Sequence, residues 1–469
     1  MTFQSATRLR ARFARGLSQM YGEEVPAYTT LVDVSAAVNE DVVGRRGAAG
    51  ERLGSIERVT AERHGAIRVG SAQEMAQVAR VFAAFGMHPV GFYDLRDAST
   101  SSVPVVSTAF RPTDPDELAA NPFRVFTSML TADDPRFFDA ELRQQLQDFI
   151  GARTLFSPEL LALSDQAIEH GGLQEPDADR LVQLATQAFE LSDDPVDHAW
   201  YRRLEDVSAV AADIGGVAST HINHLTPRVL DIDDLYARMQ ARGIVMIDEI
   251  QGPPRWDGPD VLLRQTSFRA LAEARTFRFE DGTVGPSDLR VRFGEVEQRG
   301  IALTPAGREL YDFMVSVTDR RLAAGEGGGV RAEVARTVWE ENLPRTEKEL
   351  ALQALAYFTF TLDEQVWAEV GSSFPGPRVS LTELVEAGAA VPEPIVYEDF
   401  LPRSAAGIFQ SNLTDEGSRD DAQRGIEYDL AAMSRIVGRT VADPHDLYQR
   451  QQDDSIAALS ARLGLTITS

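Results

Sequence analysis

Two stretches of this chain run through the same order of patterns, and that internal repeat constrains the fold more than any other feature. In the first, "HGAIRVG" reads as a short strand, "SAQEMAQVARVFAAFG" as a helix, and "PVGFYDL" and "SVPVVSTAFRP" as further strands. Ser71 is placed to cap the helix with Glu74 three residues on, as in a capping box, and Gly86 to stop it. In the second, "HINHLTPRVL" is the strand, and "DIDDLYARMQARG" is a helix that starts at Asp231 or Asp233 and stops at Gly243. "IVMIDEIQG", "VLLRQTSFRAL", "ARTFRFEDG" and "VRFGEVEQRGIAL" supply its other strands. A strand, a helix and then several strands, occurring twice, predicts an α+β fold of two repeated modules. Their bounds are 51–112 and 218–304. A helical N-terminal segment (1–50), a helical insertion (113–217, with breakers at Pro122, Pro158 and Pro176) and a C-terminal helical region (305–469) surround them.

Composition narrows the chemistry. The 469 residues are 43% apolar, enough for sizeable cores, and contain no cysteine. Disulfides, thiolate metal sites and a cysteine nucleophile are therefore excluded, and His, Asp and Glu remain as the strong metal ligands. A net charge of -26 argues against nucleic-acid or anionic-membrane partners. It also makes any arginine inside a pocket informative, since an anionic ligand must be drawn in against the global field. No apolar run approaches the roughly 20 residues of a membrane-crossing helix. The arginine-rich start lacks the apolar region of a secretory signal and reads as an amphipathic helix with Leu9, Phe13 and Leu17 on one face, so a cytoplasmic location is expected. No P-loop and no GxSxG elbow is present.

The strand that opens each repeat carries a histidine with an arginine four residues on: His64 with Arg68, and His224 with Arg228. On a strand such a pair shares a face about 13 Å apart along the chain. The histidine could then hold a metal while the arginine reaches back to a substrate carboxylate. Pro227 weakens that claim for Arg228. The closing strand "FGEVEQRG" puts Glu295, Glu297 and Arg299 on one face by the same parity. Such a row also suits the polar outer face of an edge strand, but its company matters. Two histidines and one carboxylate from equivalent strands make the facial triad of non-haem Fe(II), which leaves positions open for substrate and oxygen. His221 and His224 differ by an odd number, so a regular strand turns only one of them inward. His88, His170, His198 and His445 read as structural or exposed.

The repeats resemble modules of the vicinal oxygen chelate superfamily, whose paired βαβββ units form a half-open barrel around a metal. "FGEVEQRG" is similar to the closing strand of its Fe(II) α-keto acid dioxygenases. More narrowly, "MYGEEVPAY", "ERHGAIRVG", "HINHLTPRVLDID", "RQTSF", "FGEVEQRGIALTPAGRELYD" and "YEDFLPRSAAGIFQSNL" together resemble the 2-oxoadipate dioxygenase/decarboxylase (hydroxyglutarate synthase) family, from about residue 8 to residue 450. The resemblance implies an Fe(II) enzyme that converts 2-oxoadipate and O2 to D-2-hydroxyglutarate and CO2 in lysine catabolism. It implies His64, His224 and Glu295 as iron ligands, which selects Glu295 over Glu297 and His224 over His221. Arg68 would bind a substrate carboxylate, and Ser404 in the loop 397–413 would line the pocket. Arg403 stands where the family pattern has a small apolar residue. It could add a carboxylate contact or change which oxo acid fits. A related dioxygenase on another 2-oxo acid, or a non-catalytic small-acid binding protein of the same fold, are the alternatives.

Overall fold

The N-terminal apolar stripe folds as read. In the computed structural model, which describes residues 2–97, 103–270, 273–289, 292–325, 327, 330–374, 376–401, 423 and 425–468, strand β1 (Phe3–Ser5) leads into helix α1 (Ala6–Glu24). Ser5 caps α1 by accepting from Arg8 N, and Leu9, Phe13, Leu17 and Tyr21 are buried. Pro26, pre-set for a first helical turn, opens α2 (Pro26–Arg46), and α3 (Ile56–Ala61) follows.

The first repeat forms β2 (Arg63–Val69), α4 (Ala72–Ala84), β3 (His88–Asp94) and β4 (Val105–Arg111). Ser71 caps α4 by accepting from Glu74 N, and Gly86 takes the left-handed φ of 66° that ends the helix. Only half of the expected capping box forms. The Glu74 carboxylate accepts instead from Gly70 N at 2.6 Å and from Arg153.

The stretch 113–217, read as helical, differs by one long strand. After α5 (Pro115–Ala120) comes β5 (Arg124–Leu130), every residue of it buried. It pairs parallel with β2 and antiparallel with β4. A strand covered on both faces shows no polar–apolar alternation, so the period that marks half-exposed strands is missing from "RVFTSML". The helices α6 (Ala140–Ala152), α7 (Pro158–His170), α8 (Glu175–Gln187), α9 (His198–Glu205) and α10 (Ala209–Gly215) then follow, with the short strands β6 (Gly172–Gln174) and β7 (Val196–Asp197) among them.

The second repeat gives β8 (Ile222–Pro227) and α11 (Ile232–Ala241), which Asp231 caps, then β9 (Leu263–Phe268) and β12 (Gly294–Arg299). Between these two, β10 (Glu273–Arg278) and β11 (Val284–Leu289) form a hairpin that pairs with β7 and not with β9 or β12. "IVMIDEIQG" supplies only single bridges to β9, at Met246 and Gln251. The five-stranded sheet runs β3-β4-β5-β2-β8. On its β8 side, a bridge between Arg228 and Glu297 and a 2.8 Å bond from Val229 N to Glu297 O set β12 alongside. The strands opening the two repeats are therefore neighbours, with the closing strand of the second repeat next to them.

The C-terminal region adds the helices Pro305–Ala323, Arg331–Asn342, Leu430–Val437 and Pro444–Leu463 and the strand pair Phe358–Leu362 with Ala390–Pro394. It builds a separate core around Tyr311, Trp339, Leu350 and Phe358. The architecture is thus mixed α+β. Arg403, Ser404 and most of the loop 397–413 lie outside the described residues. No helix among the described residues is long and apolar enough to cross a membrane.

Candidate metal centre

Three adjacent strands each place one buried side chain on a common point. In the antiparallel β2–β8 register His64 faces Thr226 and Ala66 faces His224, so the two histidines are diagonal neighbours on one face. Their rings stand nearly perpendicular, with centroids 5.3 Å apart. From β12, Glu295 brings Oε2 to 3.3 Å from His224 Nε2 and Oε1 to 3.8 Å from His64 Nε2. One ligand atom from each of the three lies within 4.8 Å of the others, and all three residues are buried. Glu297, two residues on, turns to the other nitrogen of His64, with Oε2 2.9 Å from Nδ1. A proton on Nδ1 facing Glu297 leaves the Nε2 lone pair directed at the shared point.

Electrostatics separates the two carboxylates. Burial would raise Glu297, but Arg299 and His64 outweigh it and hold the carboxyl down to about 2. Arg299 grips it with two bonds of 2.7 and 2.8 Å. Among the described residues no cation grips Glu295 in this way. Burial, and then the Glu297 charge, push it well above the usual carboxylate range, and its one polar side-chain contact among the described residues, apart from the histidines, is Gln265 Nε2. Burial also pushes both imidazoles down, His224 well below its ordinary value with His64 and Arg68 adding to the effect. Neither ring nitrogen of His224 has a hydrogen-bond partner among the described residues. Two neutral imidazoles, one orphaned, and a carboxyl that needs a positive neighbour to ionise fit a divalent cation. With no thiolate among them, the donors are those of the two-histidine, one-carboxylate metal sites.

Aromatic rings close the site. Phe400 stands edge-on to His64 at 5.0 Å and contacts Tyr93 and Phe126, while Phe293 packs 5.2 Å from His224. A concavity of about 820 Å³ lies elsewhere, between the loop 248–257 and the helices Pro305–Ala323 and Arg331–Asn342. A smaller one of about 340 Å³ reaches Tyr93, Asp399 and Phe400 from the C-terminal region.

Other residues singled out from the sequence fall into two groups. Arg68 is buried on the histidine-bearing face of β2 and pairs with Asp213. Arg228 instead points into the interior, donating to Glu62 at 2.8 Å and to Leu53 O at 2.7 Å, so it serves the core. The parity expected to separate His221 from His224 does not hold. The β2–β8 register shifts between Ala66 and Ile67, leaving Asn223 as an extra, bulged residue. His221 is thereby returned to the His224 face, where its Nε2 lies 3.3 Å from Asp213 Oδ1. Gln265, Phe400 and the carboxylate–histidine contact of Glu297 were not assigned roles from the sequence. The motifs "RQTSF", "YEDFLPRSAAGIFQSNL" and "FGEVEQRG" contain Gln265, Phe400 and Glu297, but motif membership did not say what each would touch.

Fold and site together define a candidate metalloenzyme of the two-histidine, one-carboxylate kind. Residues 13–412 match the family model described as 2-oxoadipate dioxygenase/decarboxylase. The Mycobacterium tuberculosis protein of that name is 55% identical over 441 residues, 94% of this chain and 95% of its own length. The one from Pseudomonas putida is 41% identical over 470 residues, 99% and 98% of the two chains. The crystal structure of the Pseudomonas putida hydroxyglutarate synthase in complex with 2-oxoadipate superposes with a TM-score of 0.83 at 38% identity, covering 99% of this chain and all of that one. The chain belongs to the 2-oxoadipate dioxygenase/decarboxylase family and is an enzyme of the dioxygenase class.

Proposed function

We propose that this enzyme uses Fe(II) to convert 2-oxoadipate and O2 to D-2-hydroxyglutarate and CO2, in the cytoplasm, as a step of lysine catabolism. The observation that carries the reading is the convergence of His64, His224 and Glu295 from three adjacent strands, in a chain similar throughout to a protein crystallised with 2-oxoadipate. These three residues would hold the iron. The modules built on β2 and β8, the first extended by β5 to Leu130, would curl around it as a half-open barrel, with the segments 1–50, the remainder of 113–217, and 305–469 as its helical surroundings. Bound Fe(II) would supply a centre that a 2-oxo acid can chelate and at which O2 is reduced.

The chain's own residues do the rest. Glu297 fixes the ring of His64, and Gln265 restrains Glu295, so the ligand set is oriented before metal arrives. Arg68 grips the carboxylate far from the keto group, and Arg403 and Ser404, outside the described residues, would add to the pocket as the family resemblance implies. That grip decides which carbon is hydroxylated. Phe293 and Phe400 keep water from the reacting atoms. The reaction balances without an external reductant. The bond between the substrate's first carboxylate and its keto carbon breaks to release CO2, one oxygen atom completes the new carboxylate, and the other becomes the hydroxyl on the adjacent carbon.

The test is oxygen consumption by protein loaded anaerobically with Fe(II) and offered 2-oxoadipate, 2-oxoglutarate and a longer homologue in turn. Uptake with 2-oxoadipate, matched by 2-hydroxyglutarate and CO2, is the expected result. Uptake with another acid alone would move the substrate and point to Arg403. Bound iron without uptake on any of them would overturn the catalytic reading in favour of a binding protein.

A further inference from the structure

We infer that Asp213, on a helix outside both repeats, is a positioning residue that sets the guanidinium of Arg68 for the substrate's far carboxylate. The inference rests on the reading of Arg68 just given. Asp213 is buried, and one carboxylate oxygen, Oδ2, takes both Arg68 Nη1 and, at 2.9 Å, Asn223 Nδ2. Its other oxygen, Oδ1, lies 3.3 Å from His221 Nε2, and His221 Nε2 is itself 3.1 Å from Asn223 Nδ2. The backbone of Arg68 is fixed as well, since its carbonyl accepts from Thr220 Oγ1 at 2.7 Å. Both ends of the arginine are thus held by residues 213–223, the segment that joins α10 to the bulge of β8.

This arrangement has the marks of a device and not of an incidental ion pair. A planar guanidinium with five donors can be anchored by one carboxylate at one edge while it grips a second along another. Without an anchor, a long side chain opposite a flexible dicarboxylate loses rotamer entropy each time it binds. The anchor itself is rigid. A side chain at Gly215 would come within 2.4 Å of Leu146, and one at Gly216 within 2.7 Å of the Tyr201 ring, so the end of α10 packs against its neighbours without slack. The bulge has a purpose in this account. A regular β8 would turn His221 away, and the inserted Asn223 brings both side chains onto the Asp213 carboxylate while its own carbonyl accepts from Tyr21 Oη at 3.0 Å.

The test compares two ligands on Fe(II)-loaded protein by anaerobic calorimetry. Oxalate has only the chelating end, whereas 2-oxoadipate also has the far carboxylate. In Asp213→Asn the ratio of the 2-oxoadipate Kd to the oxalate Kd should rise at least about tenfold over wild type, with iron content unchanged. A ratio that stays at the wild-type value, whether or not both constants weaken, overturns the inference. Should Asp213→Asn fail to fold, Asp213→Glu keeps the charge but moves the anchor by one methylene, and the same ratio decides. Wild-type protein that binds oxalate but not 2-oxoadipate would overturn the substrate reading and this inference together. An unchanged ratio in a variant whose parent binds both ligands overturns this inference alone.

Discussion

At the scale of single residues, the two glutamates of "FGEVEQRG" share a strand face and yet differ in what surrounds them. Glu295 meets two imidazoles and an amide; Glu297 meets Arg299, Arg124 and the back of His64. Removing each should therefore fail differently. Glu295→Ala should lose metal and turnover while thermal unfolding stays close to wild type, because no buried cation depends on its charge. A variant that still binds iron and works would sink the assignment. Glu297→Gln should still bind metal, about 10–100-fold more weakly, as expected when the partner of a ligating histidine is lost. It should also unfold about 3–5 kcal/mol more easily, since Arg299 and Arg124 are left facing a neutral amide. Metal titration and denaturant unfolding of the two variants separate these outcomes. Arg68→Ala should keep its iron and lose about 2–5 kcal/mol of substrate binding; wild-type kinetics would make Arg68 structural. Residue type and spacing brought these side chains to notice. They could not say which nitrogen of His64 Glu297 would face, because that depends on strand pairing between residues more than 230 positions apart.

At the scale of elements, the period of hydrophobicity announced most strands and helices of both repeats, but it passed over β11, read a strand in "IVMIDEIQG" that makes only single bridges, and misjudged three further features, each for a physical reason. The buried strand β5 has no alternation to read. The segment β10 has strand character but pairs with β7, and pairing partners are not written in a local pattern. The bulge at Asn223 reverses the parity of every residue before it, and a single Asn between strand-forming neighbours in "HINHLTP" is too weak a signal to mark it. A further element-scale feature is the glycine that starts β12. Gly294 pairs with Phe268, and a side chain on it would come within 1.8 Å of that ring. Gly294→Ala should therefore push β12 off β9, at about 1–3 kcal/mol of stability, and carry the next residue, Glu295, away from the histidines. Weaker metal binding with moderate destabilisation is the expected outcome. Unchanged metal affinity would mean that β12 is held by its other end, through Glu297 and Arg299.

At the scale of the whole molecule, a surface that makes the chain strongly acidic encloses an interior in which, among the described residues, buried arginines outnumber buried carboxylates. Composition gave the net charge, but the segregation of sign is a property of the fold. Much of it is one network behind His64. Arg124 pairs with Glu62 at 2.8 Å, with Glu297 at 3.4 Å and with Glu398; Arg58 also pairs with Glu398, and Arg228 with Glu62. Glu398, at the start of the loop expected to line the substrate pocket, ties the C-terminal segment to β5, 274 residues earlier, and to helix α3. Burial alone would raise its pKa, but Arg58 and Arg124 outweigh burial and hold it below the ordinary 4.5. A carboxyl depressed on folding contributes stability that is fully present above 4.5 and is lost as the pH falls below it, where the unfolded chain takes up a proton that the folded chain resists. Glu398→Gln should therefore unfold about 3–5 kcal/mol more easily than wild type at neutral pH, because two buried arginines lose their counter-charge. The gap should narrow as the pH drops below 4.5, since wild type then loses the advantage the variant never had. Urea unfolding of both proteins at neutral pH and near pH 4 measures it. A gap that stays constant with pH would show that Glu398 titrates alike in both states, and that the network holds the C-terminal segment by hydrogen bonds and packing, not by charge.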